Sequence, residues 1–149
     1  MATSPRRRDL AAMIAPLARA LTAAEQPVLR SNGLTMWGYI VLSALDGQPA
    51  RTQAALAQSI GADKTRIIPI LDALQQQSLI ERHPDPTDRR AHLVSITPQG
   101  RRVRASTQNA IQHNEDRLLS HLPPSTRRTF LKALETLSSL PPTEWTAGI

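Results

Sequence analysis

Residues 52–100, TQAALAQSIGADKTRIIPILDALQQQSLIERHPDPTDRRAHLVSITPQG, decide the fold of this chain. The stretch opens with two short helical patterns that are separated by a turn at Gly61. Two strand-like runs follow, residues 79–83 and 91–96, joined by a charged loop with two prolines. The order helix, turn, helix and β-hairpin is typical of a winged helix-turn-helix.

Local signals define the two helices of this unit. Thr52 and Asp63 are expected to cap them, because short oxygen-bearing side chains satisfy the free N–H groups of a first turn. Pro69 lies about one turn into the second helix, where it removes one helix hydrogen bond and bends or shortens the helix. The inward side chains are predicted to be Ala55, Leu56 and Ile60 in the first helix and Ile67, Ile70, Leu71 and Leu74 in the second.

Helices are predicted on both sides of the winged unit. The first follows Asp9 as its cap, contains Pro16 and is expected to end before Pro27. The second is expected over residues 35–46, a long one from Pro98 to about residue 122, and a last one over residues 125–140. We therefore predict a mainly α fold with a small β-hairpin wing. Its divisions are a basic tail (1–8), an N-terminal helix and loop (9–34), a winged helix-turn-helix lobe (35–97), C-terminal helices (98–140) and a tail (141–149).

Composition favours an anionic partner. The 149 residues carry a formal net charge of +6, and aromatic residues make up only 3% of the chain. A basic balance favours nucleic acid, although an inert basic surface is the alternative at this moderate charge. There is no cysteine, which excludes disulfides and sensing by thiol oxidation. No apolar run approaches the roughly 18 residues of a membrane span, and no secretory signal is recognisable, so we expect no membrane partner and a cytoplasmic location.

The second helix of such a unit enters the major groove of double-stranded DNA, where each base pair shows a distinct pattern of donors and acceptors. Its early outward residues are Lys64, Thr65, Arg66 and Ile68. Arginine pairs with guanine through two hydrogen bonds, and threonine contacts a base or a phosphate. A helix with a charged end is common, so this feature alone leaves other roles open.

The loop between the strands strengthens the DNA interpretation. Adjacent Arg89 and Arg90 are suited to the narrow, electronegative minor groove. Asp88 is expected to pair with Arg90 or with the opposite strand and so to hold the loop in shape. An exposed arginine pair without a partner is the alternative.

The segment DRRAHLVSIT, residues 88–97, resembles the wing signature D-x-R-x5-[LI]-T of MarR-family regulators, and Gly100 fits the usual close of that signature. Upstream, LAQSIGADKTRIIPILDALQQQSLIER resembles the recognition-helix region of the family, and the resemblance covers about residues 10–140. Two positions depart from the pattern. Ser78 stands where glycine is usual before the first wing strand, and Pro69 lies in the recognition helix.

The resemblance implies a homodimeric transcriptional regulator whose first and last two helices interlock with a second copy. Two winged lobes would face a pseudo-palindromic operator with half-sites about 34 Å apart. Carried over by position, Lys64, Thr65, Arg66 and Ile68 meet the major groove, Thr52 and Gln53 lie at backbone phosphates, and Arg90, with Asp88 and Arg89 beside it, meets the minor groove.

The resemblance also implies a ligand pocket between the dimerisation helices and the DNA lobe. An apolar pocket of this kind suits a small aromatic or phenolic acid, which would release a repressor from DNA. The alternative for the protein is an activator or an architectural DNA-binding protein without a ligand. The alternative for Trp37 is that it is simply part of the core. The residues expected to line the pocket are Met13, Leu17, Met36, Trp37, Ile40 and His113.

An enzyme is not expected, because the chain contains no HExxH, GxSxG or P-loop motif. His83 and His92 are expected to face each other across the hairpin as a surface pair. His113 and His121 share a helix without clustered carboxylates, so neither a metal site nor a cofactor is predicted.

Overall fold

The structure, a computed structural model, describes residues 6–146. The chain divides into two compact units, Met1–Ile111 and Gln112–Ile149, and α5 contributes to both. The elements in order are α1 (Leu10–Ser31), α2 (Met36–Leu45), β1 (Arg51–Thr52), α3 (Gln53–Ile60), α4 (Lys64–Gln76), β2 (Ile80–Asp85), β3 (Asp88–Ile96), α5 (Pro98–Leu119), α6 (Pro124–Ser138) and α7 (Thr143–Thr146). Within residues 6–146, no helix has the length and apolar character that a membrane span requires.

The core of the first unit is aliphatic and is shared by its helices and its sheet. The inward face of α4 is confirmed, since Ile67, Leu71 and Leu74 are buried. In α3, Ala57 is buried while Ala55 is exposed, so the predicted inward position of Ala55 is wrong. A helix of two turns carries too few apolar residues for the sequence to define its inner face. The largest fully buried apolar side chains are Leu29, Val41, Leu42, Leu45, Leu56, Ile67, Leu71, Ile80 and Val94.

The sheet has three antiparallel strands in the order β1-β3-β2. The sequence did not predict β1, whose two residues pair with Val94 and Leu93 of β3. Two residues are too few to show the alternation by which a strand is recognised. This strand holds the start of α3 against the wing.

The wing strands are longer than predicted, and the turn between them is only Pro86–Thr87. Pro84 lies within β2, where it is tolerated because β2 is an edge strand. His83 is paired with Leu93, and His92 with Pro84. The two histidines are therefore not opposite each other, contrary to the prediction.

Helix α1 runs through both Pro16 and Pro27 to Ser31, so the expected end before Pro27 is wrong. A proline removes one helix hydrogen bond, but burial of Leu29 in the core stabilises the turn that follows Pro27. Asp9 occupies the N-cap position, yet its side chain makes no cap hydrogen bond, again contrary to expectation. Helix α4 likewise continues through Pro69, so neither Pro16 nor Pro69 shortens its helix.

The segment that follows α4 connects this helix to the wing and to α5. Ser78 adopts a left-handed conformation with φ of 61°. The Thr97 hydroxyl donates to the Ser78 carbonyl at 2.7 Å and accepts the Gly100 N–H at 3.0 Å. A Cβ atom at Gly100 would overlap the Leu79 carbonyl oxygen, so the close approach requires glycine. These contacts explain the glycine that closes the wing signature.

The second unit contains the end of α5 with α6 and α7. Helix α5 ends at Leu119 rather than near residue 122, and α6 covers residues 124–138 rather than 125–140. Helix α7 lies in the stretch expected to be a tail, and residues 1–5 and 147–149 of the two expected tails are outside the described residues. Helix α6 exposes an apolar stripe that includes Phe130, Leu134 and Leu137.

Candidate nucleic-acid interface

Side-chain caps fix the first turns of α3 and α4, as predicted. The Thr52 hydroxyl accepts a hydrogen bond from the Ala55 N–H at 3.1 Å. Asp63 Oδ1 accepts from the Thr65 hydroxyl and from the Arg66 backbone N–H, both at 2.7 Å. These two hydrogen bonds, with the nearby Arg66 charge, hold the pKa of Asp63 below its ordinary value. The cap is therefore ionised at neutral pH and orders the first turn of α4.

Arg66 contacts an aromatic ring of α2. Its guanidinium carbon lies over the Trp37 indole, 5.9 Å from the ring centroid, which is a cation–π contact. The side chain thus leaves α4 on the flank that faces α2. Lys64 and Thr65 are exposed at the start of α4, as expected.

The wing tip is ordered by two short-range contacts. Asp85 Oδ1 accepts from the Thr87 N–H at 2.9 Å and from the Thr87 hydroxyl at 2.7 Å, which lowers the pKa of Asp85. Asp88 Oδ1 accepts the Arg90 backbone N–H at 2.9 Å. The expected pairing of Asp88 with Arg90 is thus made to the main chain, which leaves the Arg90 guanidinium for another partner. Arg89 and Arg90 are exposed.

A cleft of about 240 Å³ lies between the start of α4 and the wing. It brings together five of the residues predicted to contact DNA, while Thr65, Arg66, Asp88 and Arg89 are not among its lining residues. Ala91 and His92 of β3 also line it. The sequence analysis did not assign them to this site, because their position depends on the hairpin register. The full lining is Thr52, Gln53, Ala54, Lys64, Ile67, Ile68, Arg90, Ala91 and His92.

Arg82 of β2 connects α4 to α3. Its guanidinium pairs with Asp72 at 2.5 Å and donates to Gln75 Oε1 at 2.6 Å, both in α4. It also donates to Gln53 Oε1 at 3.4 Å. This contact uses the amide oxygen of Gln53 and not its NH₂ group. The sequence offered no signal for this role, since a charged residue in a wing strand is ordinarily solvent-exposed.

The residues predicted to line a ligand pocket are placed on several elements. Met13 and Leu17 lie on the exposed stripe of α1, where they are 36% and 45% exposed. Met36, Trp37 and Ile40 are half-buried on α2. His113 is exposed and belongs to the second unit.

The described residues contain no group of three or more histidine, aspartate or glutamate side chains that could hold a metal ion. The cations Lys64, Arg89 and Arg90 lie close to the capped starts of α3 and α4 and to the wing. A capped second helix beside a basic hairpin defines a winged helix-turn-helix.

Comparison with known proteins matches the winged part of the chain to a family. Residues 32–91 match the model of the MarR family. The matched segment contains α2, β1, α3, α4, β2 and the start of β3, so the winged helix-turn-helix of this chain is of the MarR type. This agrees with the resemblance seen in the wing segment.

Individual relatives agree with this assignment. A transcriptional regulatory protein for the hcr operon of Thauera aromatica is 28% identical over 131 residues, covering 88% of this chain and 75% of that protein. The crystal structure of MarR has a TM-score of 0.79 at 23% identity, covering 92% of this chain and 93% of that one. The structure of CouR from Rhodococcus jostii RHA1, bound to p-coumaroyl-CoA, has a TM-score of 0.71 at 24% identity, covering 89% and 94% of the two chains.

Proposed function

We propose that this chain is a cytoplasmic, homodimeric and sequence-specific repressor that a small aromatic ligand releases from DNA. The observation that carries the DNA-binding mode is the cleft between α4 and the wing, where Lys64 and Arg90 meet the capped start of α3. Helix α4 would enter the major groove, and the wing tip with Arg89 and Arg90 the adjacent minor groove.

The cleft suits the phosphate backbone that separates those two grooves. Lys64 and Arg90 supply positive charge, and the Gln53 NH₂ group and the start of α3 supply neutral donors. Such contacts position a protein on DNA but carry little sequence information. Base selection would then depend on the exposed first two turns of α4.

Dimer formation is supported by apolar side chains that the chain leaves exposed. Helix α1 exposes Leu10, Met13, Ile14 and Leu17. Helix α6 exposes Phe130, Leu131, Leu134 and Leu137. Exposing a row of apolar side chains to water is unfavourable, and the same helices of a second copy would cover them. Residues 9–34 and 98–140 are accordingly the dimerisation segments of this proposal.

Ligand control is supported by the contact between Trp37 and Arg66. Trp37 belongs to the set that would line the pocket, and Arg66 lies in the first turn of the recognition helix. A ligand that displaced the Trp37 indole would remove the ring against which the Arg66 guanidinium is held. CouR, a structural neighbour, was solved with p-coumaroyl-CoA, which is consistent with an aromatic acid or its thioester as the ligand class.

The decisive experiment measures binding of the full chain to the DNA immediately upstream of its own gene, titrated against salt. We expect a tight complex that outcompetes random DNA and weakens steeply as salt rises, because bound phosphates release counterions. Arg90→Ala should weaken binding and reduce the log–log salt slope by about one per subunit without unfolding the protein. The control is Arg102→Ala, which removes an exposed arginine of α5.

Equal affinity and equal salt dependence for Arg90→Ala and wild type would contradict the wing contact.

Calorimetry with p-coumaric acid and related aromatic acids tests the ligand. If none binds, or if binding leaves DNA affinity unchanged, the alternative of an activator or an architectural protein without a ligand is supported.

A further inference from the structure

The first two turns of α4 carry an exposed apolar patch. Thr65, Ile68 and Pro69 stand at positions i, i+3 and i+4, which are neighbours on a helix surface. All three residues are exposed, and Ile68 exposes 45% of its surface. We call these residues the α4 patch.

Two residues of the patch point away from the core, and Ile68 lies between them and the buried face. Thr65 and Pro69 are each two residues from the buried Ile67, which places them about 160° from it around the helix. Pro69 also deletes the backbone hydrogen bond that residue 69 would donate to the Thr65 carbonyl. Packing within the lobe therefore gives no reason for a proline at position 69, and it leaves 45% of the Ile68 surface exposed at the edge of the cleft.

Apart from Lys64, which the proposed function assigns to a phosphate, three polar side chains near the patch already have partners within the protein. The Thr65 hydroxyl donates to Asp63 at 2.7 Å, so its γ-methyl is the group left to contact a ligand. The Arg66 guanidinium lies over Trp37, and the Asp72 carboxylate pairs with Arg82. An aliphatic surface consequently occupies the part of α4 that would face the bases.

We infer that the α4 patch reads the 5-methyl groups of thymines in the major groove. The thymine methyl is the apolar group that the base pairs present in that groove, and aliphatic side chains recognise it. Each half-site would then contain one or two thymines whose methyl groups are required. The inference rests on the proposed function and specifies its base-reading chemistry.

The test begins with duplexes that wild-type protein selects from a randomised pool. Each thymine of a selected half-site is then replaced singly by deoxyuridine, which keeps base pairing and removes only the methyl group. We expect an affinity loss of about fourfold at one or two positions, the factor for removing one buried methyl-sized group. The other thymines should show no loss.

Protein variants assign the effect to the patch. Thr65→Ser removes the γ-methyl and retains the hydroxyl that bonds Asp63, and Ile68→Ala shortens the exposed side chain. At the position each residue reads, the variant should bind thymine and deoxyuridine duplexes equally. Thr126→Ser, the same change at an exposed position of α6, is the matched control and should keep the full loss.

The outcomes separate the two proposals. Specific selection with no deoxyuridine effect at any position, or with an equal effect in the patch variants, overturns methyl reading and leaves the proposed function standing. Failure of the wild-type protein to select any sequence overturns both.

Discussion

Ser78 shows how one residue can carry strain that its neighbours maintain. A left-handed φ of 61° brings the Cβ atom of an L-residue close to its own backbone, and glycine avoids this cost. The Ser78 carbonyl accepts the Thr97 hydroxyl, and its N–H donates to Gln75 at 2.9 Å. Both hydrogen bonds use the main chain, so they would survive loss of the side chain.

Ser78→Gly should therefore increase the free energy of unfolding by about 1 kcal/mol, the difference between relieved strain and the extra entropy of an unfolded glycine. Chemical denaturation measures the change. Ser106→Gly, at an exposed position within α5, is the control and should lower stability by roughly 0.5 kcal/mol. A decrease for both variants would show that Ser78 is not strained.

At the scale of elements, Arg82 determines how the recognition helix is held against its surroundings. It contacts α4 through Asp72 and Gln75 and α3 through Gln53, while its side chain is only 20% exposed. The guanidinium can serve three acceptors because its donors form a planar fork. Orientation of α4 relative to the wing thus depends on a residue that need not contact DNA.

Arg82→Ala should lower the free energy of unfolding by about 1–2 kcal/mol. This is less than a buried ion pair would contribute, because Asp72 is 55% exposed and water screens its charge. It should also weaken operator binding, since Gln53 and α4 both lose the side chain to which they are hydrogen-bonded. Denaturation and DNA titration of the same preparation measure the two effects.

Two further substitutions make this prediction specific. Arg82→Lys retains the charge but loses the fork, and should give intermediate values. Arg101→Ala removes a weaker, exposed pair with Asp46, 3.9 Å long, and should change stability little. Unchanged DNA affinity in Arg82→Ala would remove Arg82 from the positioning of the interface.

The exposed apolar stripe of α6 belongs to the scale of the whole molecule. Leu134 is 45% exposed and Leu137 55% exposed in the single chain. Under the proposed dimer these side chains become buried, and stability and DNA affinity become dependent on concentration. Two linked lobes would also contact more phosphates than one.

Leu134→Lys should shift the protein from dimer to monomer in sedimentation experiments at micromolar concentration, because a charge placed in an apolar interface must be desolvated. The salt slope of DNA binding should fall to about half. Thr136→Lys adds the same charge on the opposite face of α6 and should leave both properties unchanged. A dimer that persists in Leu134→Lys would show that this stripe is not the interface.

The sequence by itself predicted the parts that depend on neighbouring residues. The Thr52 and Asp63 caps, the Gly61 turn and the inner face of α4 were confirmed, because each depends on hydrogen bonds or spacing within about one or two helical turns. The wing signature was sufficient to recognise the family, and Ser78 was already visible as a departure from it.

Only the tertiary structure decided the contacts between residues distant in the chain. Arg82 and Gln53 are 29 positions apart, and neither their pairing nor the contact of Arg66 with Trp37 leaves a local pattern. The continuation of α1 past Pro27 likewise depends on burial of Leu29 among other elements. Local periodicity encodes which face of a helix is apolar, whereas the partner of each polar side chain is determined by how the elements pack.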